Sequence, residues 1–273
     1  MTVLAMCESA KVSRAGFYRQ RTPRPAEKNS DIDLRNEIQK IALEFPCYGR
    51  RRITAELRRG GRKVNHKHVH RIMREDNLLC LRRRRFVITT DSNHPHPIYP
   101  NLAAAMEVNA VNQLWIADIT YIRLETEFVY LAVILDAFSR RVVGWALDRT
   151  LEAKLVVTAL RRALEERGPN PGLVHHSDRG VQYACSEYTG LLQQNRITIS
   201  MSRKGNPYDN AACESFMKTL KYEEVYRQEY RGMAEALASI GEFIDRIYNQ
   251  KRLHSALGYR PPEEFERVQS NVA

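Results

Sequence analysis

The chain has 273 residues, beyond ordinary single-domain size, which predicts one domain of about 150 residues beside a smaller module. Lys and Arg number 43 against 32 Asp and Glu, a formal charge of +11 that attracts polyanions, nucleic acid ahead of an anionic membrane. The longest apolar run, residues 128–135, is far too short to span a bilayer. The N-terminus has no secretory signal, and the five cysteines contain no Cys-x-x-Cys pair, so membrane and disulfide-framework classes are excluded and a cytoplasmic location is expected.

Residues 1–45 read as an N-terminal helical segment, with a short helix beginning in the stretch 13–19. Residues 46–90 are a basic region: from Cys47 to Phe86 there are 14 Arg and Lys against three acids, Glu56, Glu75 and Asp76. Residues 52–57 predict a short helix stopped by Gly60 and Gly61, and Asn65 offers a side-chain cap to a second helix through Val69, Ile72 and Met73. Helix, glycine turn, helix is the layout of helix-turn-helix DNA-binding modules. Their second helix enters the major groove, here carrying Lys67, His68 and Arg71. A plain helical hairpin with a solvated basic face is the alternative. Residues 91–108 read as a linker, because the stretch DSNHPHPIYPNL holds three prolines among polar residues.

Beyond the linker, residues 114–122, 128–135 and 141–147 are apolar and β-rich, predicting an antiparallel meander of three strands. Apolar positions 151, 155, 159, 160, 163 and 164 form one helical stripe, ended by Gly168 and Pro169. A fourth strand over 173–176, a short helix over 186–194, a fifth strand over 197–201 and a helix over 211–226 complete the series. The order predicts an α/β core over 109–228, a mixed five-stranded sheet with flanking helices, then a C-terminal helix and tail over 229–273.

Three acids stand where backbone elements open onto one end of that sheet. Asp118 lies within the first strand, Asp178 just after the fourth in HHSDRGVQYA, and Glu214 early on the helix after the fifth. Any of them alone would read as structural. Asp118, however, is surrounded in sequence by Trp115, Ile116, Ala117, Ile119 and Ile122, and an unpaired carboxylate there is costly unless a positive charge neutralises it. A hard divalent cation such as Mg²⁺ takes carboxylate oxygens and is readily shared with substrate phosphates. Lys221 follows Glu214 by seven residues and shares its helical face, with Lys218 adjacent. This favours DNA contact over a surface Glu214–Lys218 pair. Asn210, one turn before Glu214, caps the helix or orients the Glu. Asp136 and Asp209 are further possible ligands, read as a strand end and a loop. His66, His68 and His70 with Cys47 and Cys80 lack zinc spacing, and Cys213 reads as packing.

The clusters Asp-x-Thr-Tyr-Ile at 118–122, His-Ser-Asp-x-Gly-x-Gln-Tyr at 176–183, and Gly-x-Pro-x-Asp-Asn-Ala at 205–211 before Glu214 resemble the acidic-triad transposases and retroviral integrases. The nearest resemblance is to bacterial insertion-sequence transposases encoded by the second of two overlapping reading frames. It continues through Lys218, Leu220, Lys221 and Glu223 to Tyr248, Asn249, Arg252, His254, Gly258 and Pro261, and takes in the basic helical pair. The resemblance implies an RNase H-like fold and two Mg²⁺ or Mn²⁺ ions, with Asp118 bridging both, Asp178 on one and Glu214 on the other. One ion would activate water or a DNA 3′-OH for in-line attack and the other would stabilise the departing oxygen, with no covalent protein intermediate. It further implies strand cleavage at the ends of an insertion element followed by strand transfer, a homo-oligomer that holds two DNA ends, and an upstream-frame product or fusion that supplies end recognition. His176 becomes an orienting residue, and Ser177, Gly180, Gln182 and Tyr183 shape the turn or touch DNA. A nuclease on the same fold and a DNA-binding regulator with an inert site are the competing readings.

Overall fold

The computed structural model describes residues 3–14, 29–79, 97–202 and 210–270. The chain separates into two units, residues 1–81 and 82–273, each with its own core.

The first unit is helical: α1 (Val3–Ser9), α2 (Asn29–Glu44), α3 (Arg50–Arg59) and α4 (His66–Glu75). Leu34 and Ile38 of α2, Ile53 and Leu57 of α3, and Val69, Ile72 and Met73 of α4 are buried together, the apolar stripes that the helical spacing demands. Gly61 turns the chain between α3 and α4 at φ +85, a conformation that side-chain-bearing residues rarely adopt. Asn65 caps α4 as expected, its side chain accepting from the Lys67 amide at 2.9 Å. Arg35 ties α2 to the end of α4 through Glu75 and Asp76. The short helix expected over 13–19 lies, past Arg14, outside the described residues.

In the second unit, β1 (Leu114–Arg123), β2 (Phe128–Asp136) and β3 (Val142–Asp148) form the expected antiparallel meander. The strands β4 (Val174–Ser177) and β5 (Thr198–Met201) join it in parallel, giving the order β3-β2-β1-β4-β5. Alternating side chains feed two cores. Trp115, Ala117, Ala132 and Ile134 pack with α5 (Ala153–Arg167), α6 (Val181–Ala184) and α7 (Ser186–Gln194). Leu114, Ile116, Leu131 and Val133 pack with α8 (Ala211–Glu223), α9 (Met233–Glu242) and its π-wound continuation Phe243–Lys251. The C-terminal residues thus share a core with the sheet, and α10 (Pro262–Ser270) follows, bound to β3 and α5 through Glu266, which meets Arg141 and Arg167.

The fourth strand and the helix from Ala211 end elsewhere than periodicity alone predicts, each for a visible reason. The fourth strand runs to Ser177 because it pairs on both edges, with β1 and with β5. The helix from Ala211 stops at Glu223 rather than at 226, where a 3₁₀ turn, Val225–Arg227, takes over. The buried Glu224 carboxylate accepts from Tyr230 and Ser239, bonds that draw the chain out of the helix. The one-turn α6 was not anticipated. Residues 97–102 run without regular structure, and Ser200 Oγ on β5 fastens them by accepting from the Leu102 amide at 2.9 Å. Positions 91–96 lie outside the described residues. No helix among the described residues is long and apolar enough to cross a membrane.

Helix α5 lies so close on β3 that a Cβ at Gly144 would meet Ala159 O at 2.3 Å and Ala163 Cβ at 2.7 Å. Gly144→Ala is therefore expected to lose about 1–3 kcal/mol of stability in urea unfolding, the ordinary cost of overpacking. Gly190→Ala, on α7 where nothing lies within 4 Å of the added carbon, should gain about 0.5–1 kcal/mol in the same measurement.

Candidate active site

Parallel pairing of β1 with β4 sets the site. Leu114 faces Val174, Trp115 faces His175 and Ile116 faces His176, and two more residues along each chain carry Asp118 level with Asp178. Strand β4 ends at Ser177, so Asp178 is the first residue past it, while β1 continues alone on that edge. The two carboxylates therefore stand side by side where the sheet loses a strand.

Asp118 accepts a hydrogen bond from the neighbouring Ile119 amide at 2.9 Å. Burial pushes its pKa up to about 7, and the like charges of Asp178 and, more weakly, Glu214 push the same way, against the Ile119 N–H and Lys221. Asp178 is half-buried, and its Oδ1 accepts from the Gly180 amide at 2.9 Å. A Cβ at Gly180 would come within 3.0 Å of that same oxygen, so the turn needs a glycine for the carboxylate to fold back on it.

Helix α8 carries Glu214 in its first turn, and its charge acts weakly on Asp118. Its first turn is pinned across β1 by Cys213 Sγ, 3.3 Å from Ile116 O, and by Asn210 Nδ2, which donates to Ala117 O at 3.5 Å. Asn210 makes no cap hydrogen bond, so of its two expected roles the helix cap drops away, and the bond to β1 beside Asp118 takes its place. Glu214 itself is exposed. Seven residues on, Lys221 Nζ sits 4.7 Å above the Tyr121 ring, which meets Phe128 edge-on. Burial lowers the Lys221 pKa and Asp118 raises it, so the ammonium lies within the field of the acid. Lys218 is exposed one turn earlier. The far end of α8 is clamped by Arg252, buried and bonded to both oxygens of Glu223 at 2.6 and 2.8 Å.

The acids with purely structural duties are recognised by their satisfied oxygens. Asp136 is fully buried, but its oxygens accept from the amides of Asn112, Phe138 and Ser139, which closes the turn after β2. Asp209, with Gly205 and Pro207, lies outside the described residues, as does Cys80. Among the described residues no group of three or more His, Cys, Asp or Glu side chains is gathered tightly enough to hold a metal ion. His176 is buried with Nδ1 2.9 Å from Ser200 Oγ, and Arg179 Nε donates to Ser202 O at 2.8 Å. Burial and the neighbouring His176 lower the His175 pKa to about 3, and its Nε2 lies 2.9 Å from Tyr188 OH, so it is a neutral core residue. In the first unit Lys67 and Arg71 are exposed on α4 and His68 is half-buried.

Sequence reasoning missed the Tyr121 seat under Lys221 and the Arg252 clamp on Glu223. Both join residues far apart in the chain, and the one available signal was that the resemblance ran through Tyr121, Lys221, Glu223 and Arg252.

Residues 108–207 match the integrase core domain family, residues 195–262 match a second integrase core domain family, and residues 28–86 match an HTH-like domain. The insertion element IS600 uncharacterized 31 kDa protein of Shigella sonnei is 38% identical, covering 98% of this chain and 100% of that protein. The transposase for insertion sequence element IS904 of Lactococcus lactis is 39% identical over 90% of this chain and 99% of its own length. Among solved structures, the simian T-cell lymphotropic virus intasome in complex with PP2A regulatory subunit B56 gamma aligns with TM-score 0.50 at 16% identity. It covers 84% of this chain and 74% of that one, a likeness of fold.

An acid whose pKa is raised by folding is protonated in the folded chain where the unfolded chain is not, so stability falls as pH rises from about 4 to about 7. Asp118→Asn removes that cost. With EDTA present, the variant should gain on the order of 2 kcal/mol over the parent on going from pH 5 to pH 8, read by urea unfolding at both pH values. An equal difference at the two values would show that Asp118 ionises normally.

Proposed function

This chain belongs to the insertion-element transposases built on an integrase core, and from that premise we propose that Asp118, Asp178 and Glu214 carry out metal-dependent DNA cleavage and strand transfer. As a member of that family it is a polynucleotidyl transferase acting in DNA integration. The observation that carries the finer reading is the pairing of Asp118 on β1 with Asp178 just past the end of β4, the Asp118 pKa being raised to about 7 by its burial and by Asp178. Perturbed acids at an open sheet end mark reacting sites more often than structural ones.

The donor set fits a hard divalent cation. All three side chains offer carboxylate oxygens, and Asp118 shows one amide bond where the structural Asp136 shows three. Asp118, Asp178 and Glu214 would hold Mg²⁺ or Mn²⁺, two ions per site on the family resemblance. Bound there, such ions supply Lewis acidity at the scissile phosphate and lower the pKa of the attacking hydroxyl. Glu214, exposed on the first turn of α8, would be the third ligand. Asp118 gives up its proton as the site fills, so cation affinity rises with pH through about 7. Lys221 and Lys218 face the DNA strand from the same helix and neutralise its phosphates. In the joining step the 3′-hydroxyl oxygen bonds to phosphorus of the target strand, and the target's own P–O3′ bond breaks. The number of phosphodiester bonds is unchanged.

In the first unit α4 enters the major groove, with Lys67 and Arg71 on its exposed side and His68 beside them. The assembly holds two DNA ends, which calls for more than one copy of the chain. An upstream-frame product or fusion supplies the recognition of the ends.

Two measurements test this reading. Incubated with Mg²⁺, the upstream-frame product and DNA carrying the ends of its own element, the chain should yield cleaved and joined strands on a sequencing gel. Asp178→Asn should lower joining at least about 100-fold, since a Lewis-acid contact is worth several kcal/mol. Cleavage without any joined product would leave a nuclease, and undiminished joining by the variant would sink the carboxylate mechanism. Separately, Lys67→Ala and Arg71→Ala should each weaken DNA binding and reduce the slope of log affinity against log salt by about 1 in anisotropy titrations. An unchanged slope would remove α4 from the DNA interface.

A further inference from the structure

Two tyrosines stand edge to face in the core shared by Trp115 and Ala117, Tyr183 and Tyr188, with ring centroids 5.4 Å apart. Both are fully buried, yet their hydroxyls differ. Tyr188 OH is 2.9 Å from His175 Nε2, whereas Tyr183 OH has no hydrogen-bond partner among the described residues. An orphaned buried hydroxyl is destabilising, and phenylalanine would fill the same space without that cost. The position of Tyr183 supplies a reason. It lies on α6, whose N-cap is Gly180, the residue whose amide binds the Asp178 carboxylate, and Tyr183 N donates in turn to Gly180 O at 3.0 Å. The helix thus grows directly out of the turn that shapes Asp178, and Asp178 stands level with Asp118 of β1, just past the end of β4. Burial first, then Tyr188, Asp118, Asp178 and Cys213 all oppose ionisation of the phenol, so it stays a neutral donor within the field of both acids.

We propose that Tyr183 is a positioning residue for the Asp118–Asp178 pair, its hydroxyl donating a hydrogen bond to one of the two carboxylates as they take up a divalent cation. The proposal rests on the reading of those acids as cation ligands. A donor behind a ligating carboxylate occupies one oxygen lone pair and fixes which oxygen faces the cation. Losing such a support typically lowers metal affinity about 10–100-fold. The neighbouring Tyr188 spends its hydroxyl on His175 and is the built-in comparison.

The test uses the full chain and MnCl₂ alone, with free Mn²⁺ followed by electron paramagnetic resonance and stability followed by thermal unfolding. Tyr183→Phe should unfold at an unchanged or higher temperature, because an orphaned hydroxyl has gone, and should bind Mn²⁺ about 10-fold more weakly. Tyr188→Phe should do the opposite, losing stability and keeping the parent's Mn²⁺ affinity. Wild-type Mn²⁺ affinity in Tyr183→Phe, whether or not its stability changes, overturns the proposal. Asp178→Asn separates the two levels. If it loses Mn²⁺ while Tyr183→Phe does not, the tyrosine alone is wrong. If both bind as the parent does, the carboxylate reading fails and takes the tyrosine with it.

Discussion

The parallel pairing of β1 with β4 is the constraint on which the rest of this chain depends. A parallel neighbour cannot be reached by a tight turn, and the crossover here takes in two further strands and helix α5 before β4 comes alongside β1. Once it does, the register leaves no freedom over which residues meet at the strand ends. A slip of one residue would turn His175 and His176 to opposite faces and carry Asp178 away from Asp118. The close seat of α5 on Gly144 and the pairing of β4 on both edges hold that register. The site's geometry is in this sense a property of the sheet, and the loops complete it.

The electrostatics follow from the same placement. Asp118 and Asp136 both sit among apolar side chains on adjacent strands, and both have their pKa raised by burial. Backbone amides converge on Asp136 and make it a turn-closing group. Asp118 keeps oxygen capacity unspent and shares its surroundings with a second acid. Leaving a carboxylate in that condition lowers stability, and the cost is sensible only where an external positive charge or a reacting phosphate relieves it. Lys221 supplies part of that relief from α8, held over Tyr121.

The residues after α8 act as scaffold for that helix. Phe216 meets Tyr248 edge-on with centroids 4.8 Å apart, Arg252 holds Glu223, and Asn249 uses its whole amide to donate to and accept from Val142 at the sheet's edge. That last pair also satisfies backbone groups that an edge strand would otherwise expose. One C-terminal segment thereby positions the helix that carries Glu214 and closes the strand farthest from it.

The strand alternation, the helical stripes and the Asn65 cap were legible from local sequence, because each depends on residues within a turn or two of one another. The ordered clusters around Asp118, Asp178 and Glu214 singled out three acids in the sequence, each proposed as a cation ligand. The 60-residue separation of Asp118 and Asp178 could be read off the chain, but not its meaning, which is a register between strands brought together by the whole crossover. The Lys221–Tyr121 contact, the Arg252–Glu223 clamp and the stranded Tyr183 hydroxyl were likewise invisible, because each depends on which distant side chains share a volume. Local periodicity decided what each segment is; tertiary packing decided which distant polar atoms find one another, because only the folded chain brings such groups into one volume.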